Sequence, residues 1–189
     1  ITEVIDAYEE VLRGGSGLTR RDRVEHCSFA SRDDLVRMAR IGLSPTFLVA
    51  HVYYWGRAFR DDIVGPEKAA GLDPIATALS LGLRCSTHSD YTVTEFEPLR
   101  EIQTAVTRVM RDGGEVLGPD ERIPVAAAMR LKTVDAAWQV HADDAGVLEP
   151  GRFADLTVLE RDPQQVDSST IADIGIVSTI VGGTTVYSG

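Results

Sequence analysis

Three short strand-like segments, each followed by residues that start or sustain a helix, constrain this chain more than any other feature. Arg23-Val-Glu-His-Cys-Ser-Phe29 gives way to Ser31, a helix N-cap residue, with Asp33 and Asp34 in the first turn of a helix expected to reach Ile41. Leu43 to Ala50 reads as a second strand, followed by an aromatic loop, His51-Val-Tyr-Tyr-Trp-Gly56. Asp73 and Pro74 then begin another helix, with Pro at its first position, ending around Gly82. Leu83 to His88 is the third strand, Pro98 to Met110 a further helix, and Ile123 to about Val140 is largely helical. Strand and helix periods that alternate in this way argue for parallel βα units. The expected strands are Val24–Ser28, Leu43–Val49 and Leu83–His88, with helices on one side.

The pattern changes near the end of the chain. Gly151 to Glu160 alternates as a half-buried strand does. Ile174 to Val181, then Gly182-Gly183, then Thr184 to Tyr187 reads as two strands joined by a tight hairpin. An antiparallel unit is therefore expected after about Arg152. At the other end, Ile1, Val4, Ile5, Tyr8, Val11 and Leu12 share one face of a helix that ends near Gly14-Gly15. A chain that opens at Ile1 directly in a helix is expected to be a piece of a longer protein. Three βα units also fall short of an eight-stranded barrel, which takes about 250 residues. They could form one side of one.

Composition narrows the partners. The 189 residues carry 19 Lys plus Arg against 29 Asp plus Glu, a formal charge of -10, with no basic run. So acidic a surface repels phosphate backbones, and no nucleic-acid partner is expected. No apolar stretch approaches the roughly 20 residues that span a bilayer, so no membrane partner is expected either. Cys27 and Cys85 lie in apolar runs without CxxC spacing, consistent with reduced, buried thiols and a cytoplasmic protein.

Two side chains stand where α/β active sites are assembled, at the C-terminal ends of parallel strands. His26 closes the first expected strand and Asp90 follows the third. Imidazole nitrogen and carboxylate oxygen are good zinc donors. Taken alone, a strand-end His is equally well a hydrogen-bonded structural residue, and Asp90 an Asx turn or cap before Pro98. His51, Tyr53, Tyr54 and Trp55 after the second strand could line an apolar pocket. Tyr54 and Trp55 could equally pack beneath their loop. His141, at a helix end, is accounted for by the helix dipole.

Several segments, in order along nearly the whole chain, resemble a branch of the amidohydrolase superfamily related to N-substituted formamide deformylase. Arg23-Val24-Glu25-His26 resembles that branch's Arg-Ile-Glu-His strand. His88-Ser89-Asp90-Tyr91-Thr92-Val93 is similar to its Gly-Ser-Asp-x-Pro-Val segment after barrel strand 8. Glu97-Pro98-Leu99, Ala105-Val106-Thr107-Arg108, Ala126 to Thr133 and Ala136-Ala137-Trp138 resemble its following helices. Gly146 to Leu159 resembles the Gly-x-Leu-x-x-Gly-Lys-x-Ala-Asp-Leu signature of the small β domain. His88 stands where the branch usually has Gly, and Thr92 where it often has Pro.

The resemblance implies an α/β fold: about the last three βα units of a TIM barrel in residues 1–145, and part of a small antiparallel β domain in residues 146–189. It implies that His26 binds a divalent metal, zinc by its donors, and that Asp90 binds the metal or takes a proton from the attacking water. It implies a substrate pocket formed by His51, Tyr53, Trp55 and Tyr91, acting on a small molecule with an amide or other C–N bond. The branch's His-x-His pair on strand 1, its bridging residue on strand 4 and its strand-5 His have no counterpart here. Two protein ligands are fewer than the three that a catalytic zinc usually takes. The chain alone is therefore expected to bind zinc weakly or not at all and to be inactive. Its open sheet edge should bring it together with another copy, as a homo-oligomer, or with a covering element. The alternative is a non-catalytic scaffold or interaction domain that has kept the fold and lost the site.

Overall fold

The computed structural model of the chain describes residues 1–12 and 20–189. Three parallel strands, β1 (Arg23–Val24), β2 (Ser44–Phe47) and β3 (Ser86–Thr87), lie side by side in that order. Arg23 pairs with Ser44 and Val24 with Pro45; Thr46 pairs with Ser86 and Phe47 with Thr87. The parallel arrangement matches the alternation in the sequence, but every strand is shorter than expected. Between Val24 and Ser28 the ladder stops because His26 and Cys27 take left-handed backbone angles, φ 68° and 46°. No strand can continue through such residues. Leu83 to Cys85 lies outside the ladder, and Cys27 follows β1 rather than lying within it.

The helices α1 (Thr2–Leu12) and α2 (Arg32–Ile41) precede β2. The expected end of the first, near Gly14-Gly15, lies outside the described residues. Ser31 caps α2 as its position suggested. Its hydroxyl accepts from the Asp34 N–H at 3.1 Å, and the Asp34 carboxylate accepts from the Ser31 N–H at 3.1 Å, a closed capping box. Gly42, at φ 73°, ends the helix. Of the apolar face expected on α1, Ile5 is buried, Tyr8 and Leu12 are half-buried, and Val4 and Val11 stay exposed. Ion pairs from Glu9 to Arg37 and Arg40, at 2.7 and 2.5 Å, hold α1 onto α2.

The aromatic segment is not a loop. His51 to Gly56 belongs to α3 (Ala50–Ala58), which runs on through one wider turn, Phe59–Ile63. Val52 and Gly56, one helical turn apart, bury against Met110 and Leu117. A Cβ on Gly56 would stand 2.9 Å from the Met110 side chain, so a glycine inside this helix permits close packing. Two short helices follow, α4 (Pro66–Ala70) and α5 (Ile75–Ser80), the latter starting one residue after Pro74 rather than at it. Next come α6 (Pro98–Thr107), α7 (Val125–Lys132) and α8 (Val134–Gln139). Arg108 ends α6 before Met110 by adopting φ 59°, which lets its buried guanidinium donate to the carbonyls of Leu117 (2.9 Å), Leu72 (2.6 Å) and Asp73 (3.2 Å).

The main core joins Leu35 and Met38 of α2, Phe47 of β2, Ile75, Cys85, Ala105 and Leu131. Both thiols are free and buried, and burial pushes each up to about 12, so neither is a nucleophile at neutral pH. A polar cluster sits beside the sheet, where Gln139 meets Ser44, Ser86 and the Pro45 carbonyl, and Ser86 donates to Thr46 at 3.1 Å. The second sheet is antiparallel, ordered β4 (Leu156–Leu159), β5 (Ile176–Val181), β6 (Thr184–Ser188). Gly182 and Gly183, at φ 56° and 79°, make the expected hairpin turn. Between β4 and β5, Ile171 and Ile174 are buried in the main core. The Ala172 N–H donates to the Gln103 side chain of α6 at 2.8 Å. Among the described residues no helix is long and apolar enough to cross a membrane.

Candidate active site

The C-terminal ends of the three parallel strands carry His26, His51, His88 and Asp90. His26 stands two residues past β1 and Asp90 three past β3, both in left-handed conformations (φ 68° and 49°) that are uncommon for residues with side chains. Backbone bonds close the loop after β3: the Val93 N–H donates to the Asp90 carbonyl and the Thr94 N–H to the Ser89 carbonyl. Beneath it, Lys132 on α7 donates to the Thr87 carbonyl and to the buried Glu101 carboxylate at 2.7 Å, tying two helices to the end of β3.

His26 Nε2 and Asp90 Oδ2 face each other at 3.9 Å, with about half of each side chain open to solvent. That is too long for a hydrogen bond. It suits two donors turned toward a shared ligand. Among the described residues no group of three or more His, Cys, Asp or Glu side chains is placed to hold one metal ion. A nitrogen and a carboxylate oxygen converging at the exposed ends of parallel strands nonetheless fit as two of the donors of a zinc-like ion.

His88 is a member of this cluster that the sequence marked only as a departure from the family pattern. Its ring centroid is 4.9 Å from that of His26, and its Nε2 is buried without a hydrogen-bond partner. Burial, reinforced by His26, lowers its pKa. The signal that could have found it is position: it closes the strand expected over Leu83–His88, two residues before Asp90. His51, in the first turn of α3, lies against Trp55 (5.3 Å) and Phe59 (5.7 Å), ring to ring. Burial, with smaller contributions from His26 and His88, depresses its pKa to about 4, so it is a neutral imidazole near pH 7.

The remaining pocket residues divide. Trp55 shares the His51 face of α3. Tyr53 lies under the Arg100 guanidinium (5.0 Å) and against Tyr54 (5.0 Å), and Tyr54 donates to Glu97 at 3.0 Å. Tyr91 is exposed beside Asp90. An open hollow of about 540 Å³ borders Tyr54, Trp55, Arg57, Asp61 and Arg111, and none of the three strand-end histidines lines it.

Comparison with known proteins bears on the family and fold of the chain. A family model described as the amidohydrolase family matches residues 1–187. The chain is similar to N-substituted formamide deformylase of Arthrobacter pascens, 30% identical over 185 residues, which cover 97% of this chain and 34% of that protein. In structure it resembles an uncharacterized metal-dependent hydrolase from Pyrococcus horikoshii (TM-score 0.72, 22% identity, 87% of this chain and 32% of that one). It also resembles a mutant of atrazine chlorohydrolase TrzN from Arthrobacter aurescens complexed with zinc and atraton (TM-score 0.62, 19% identity, 88% and 36%). The chain spans about a third of the length of these proteins. With a family match that runs almost from end to end, the chain belongs to the amidohydrolase family.

Proposed function

We propose that this chain is part of a metal-dependent hydrolase that cleaves an amide or other C–N bond in a small molecule. The observation that carries the reading is the convergence of His26 and Asp90 at 3.9 Å, from two different strand ends, in a member of the amidohydrolase family. The solved neighbours titled as metal-dependent, one of them complexed with zinc, support the choice of cofactor. His26 and Asp90 would be two of the residues that hold a divalent ion, which would supply a water of lowered pKa. Asp90, within reach of the same point, accepts a proton at its carboxylate and returns it to the leaving nitrogen. His51, Trp55 and Phe59 form an apolar wall that keeps bulk water from the substrate. Tyr91 and Tyr53 border the substrate on the open side.

Residues 1–145 then form the last three βα units of a TIM barrel, and residues 146–189 part of its small β domain. The three-stranded parallel sheet and the separate antiparallel sheet support this division. Two donors do not make a catalytic zinc site. By itself the 189-residue chain is therefore inactive and binds zinc weakly, and its unpaired strand edges associate with a second copy. The free, buried thiols Cys27 and Cys85 support a cytoplasmic location.

The test is hydrolysis of a panel of N-substituted formamides and other amides. It uses a polypeptide that carries this chain together with the remaining barrel strands. Turnover is expected, lost on chelation and restored by zinc, with none from the 189-residue chain alone. A folded, metal-free polypeptide that cleaves nothing would favour the scaffold reading instead.

A further inference from the structure

The loop after β3 carries Asp90, and the three residues ahead of Asp90 are each held by a different partner. The Thr87 carbonyl accepts from Lys132 Nζ at 3.3 Å, and the His88 N–H donates to the Phe47 carbonyl of β2 at 3.0 Å. The Ser89 carbonyl accepts from the Thr94 N–H at 3.2 Å and from the Thr94 hydroxyl at 2.5 Å. Lys132 is the last residue of α7. Its ammonium also donates at 2.7 Å to Glu101 Oε2, in the first turn of α6, the helix into which the loop runs. One cation therefore grips both the strand before the loop and the helix after it.

We propose that Lys132 and Glu101 are positioning residues for Asp90: their ion pair fastens the end of β3 to α6 and so sets where the loop holds the Asp90 carboxylate, 3.9 Å from His26 Nε2. The pair is buried, with the Glu101 side chain 1% and the Lys132 side chain 15% exposed. Glu101 Oε1 has no partner among the described residues, so the carboxylate depends on Lys132 alone. A buried ion pair adds little stability over apolar side chains of similar volume. Nor do the two helices need it to stay together, because Ile102 and Ala105 of α6 and Ala128 and Leu131 of α7 already lie in the main core. What the ammonium adds, and an apolar side chain could not, is a charge-assisted bond to the Thr87 carbonyl. Outer partners that hold metal donors in place typically change affinity by roughly 10- to 100-fold when removed.

The consequence for metal rests on the hydrolase reading above, but the fastening of the loop does not. Both are read in a polypeptide that carries this chain with the remaining barrel strands. Lys132→Met alone leaves a buried carboxylate without a partner, so the informative variant is Lys132→Met with Glu101→Leu, which removes both charges and should melt close to the parent. Hydrogen–deuterium exchange followed by mass spectrometry should be about tenfold faster in that variant over residues 88–97, where the Val93 and Thr94 N–H groups bond within the loop. Exchange over α2 should stay as it was. Zinc affinity, measured by competition with a chromogenic chelator, should fall roughly 10- to 100-fold. Lys132→Arg, a cation with donors for both oxygens, should keep exchange slow and zinc tight. Unchanged exchange over residues 88–97 in the folded double variant would overturn the proposal, whether or not the protein is a hydrolase. A loosened loop with undiminished zinc affinity would overturn the positioning of Asp90. A parent that binds no zinc, but whose loop loosens in the variant, would defeat the hydrolase reading and uphold the fastening.

Discussion

Replacing Asp90 with Asn, in a polypeptide that holds the complete site, is expected to lower kcat by about 10²- to 10⁴-fold, the range of a lost general acid–base. Asparagine keeps the shape and one oxygen but cannot take up a proton. The fold should hardly change, because the Asp90 side chain is half-exposed and its contribution to the loop is a backbone carbonyl accepting from Val93. Exposed positions of that kind usually shift stability by no more than about 0.5 kcal/mol. Steady-state rates and a thermal melt of the same sample separate the two effects. Activity close to that of the unaltered protein would take Asp90 out of the mechanism.

The second large effect concerns stability and pH. Burial raises the Asp73 pKa to about 8, only partly offset by Arg108 and Ser28. In the unfolded chain the same group loses its proton near pH 4. Between those values folding takes up a proton, so stability present in full at pH 4 declines as pH rises toward 8. Integrated over that window, the loss is on the order of 5 kcal/mol. His51 acts with the opposite sign. Its depressed pKa means that folding releases a proton between about pH 4 and 6.5, and stability rises with pH there. Asp73→Asn has no acidic proton to hold and keeps the histidine contribution. Urea unfolding at pH 5, 6, 7 and 8 should therefore show the variant gaining on the parent steadily as pH rises. Parallel curves would mean that Asp73 is ionised in the folded protein.

Local signals in the sequence carried much of the fold. Ser31 with Asp34 three residues on, Gly182-Gly183 between alternating runs, and the order of strand and helix periods each act over a few residues, and each reappears in the structure. What was misread depends on distant contacts. His51 to Gly56 has the aromatic content of a pocket loop, yet it is helical because Val52 and Gly56 find Met110 and Leu117, far along the chain. The first strand ended early because His26 and Cys27 take left-handed angles that nothing in their identity announces.

The candidate site was legible to a different degree. Spacing alone left His26 and Asp90 open to structural readings, and it was the family resemblance that singled them out as a pair. His88 was not singled out as a member of the site, because only packing brings its ring to 4.9 Å from that of His26. Asp73 read as the start of a helix, and a buried carboxyl and a helix-starting Asp are the same letter. Only packing decides whether water reaches Asp73, and here it does not.

The central claim, that His26 and Asp90 are metal donors of a hydrolase, is tested most directly by counting metal. A polypeptide that carries this chain with the rest of the barrel should retain roughly stoichiometric zinc after dialysis, measured by inductively coupled plasma mass spectrometry. The same protein with His26→Ala, folded by circular dichroism, should lose most of it. Zinc absent from the parent, or retained equally by the variant, would contradict the account.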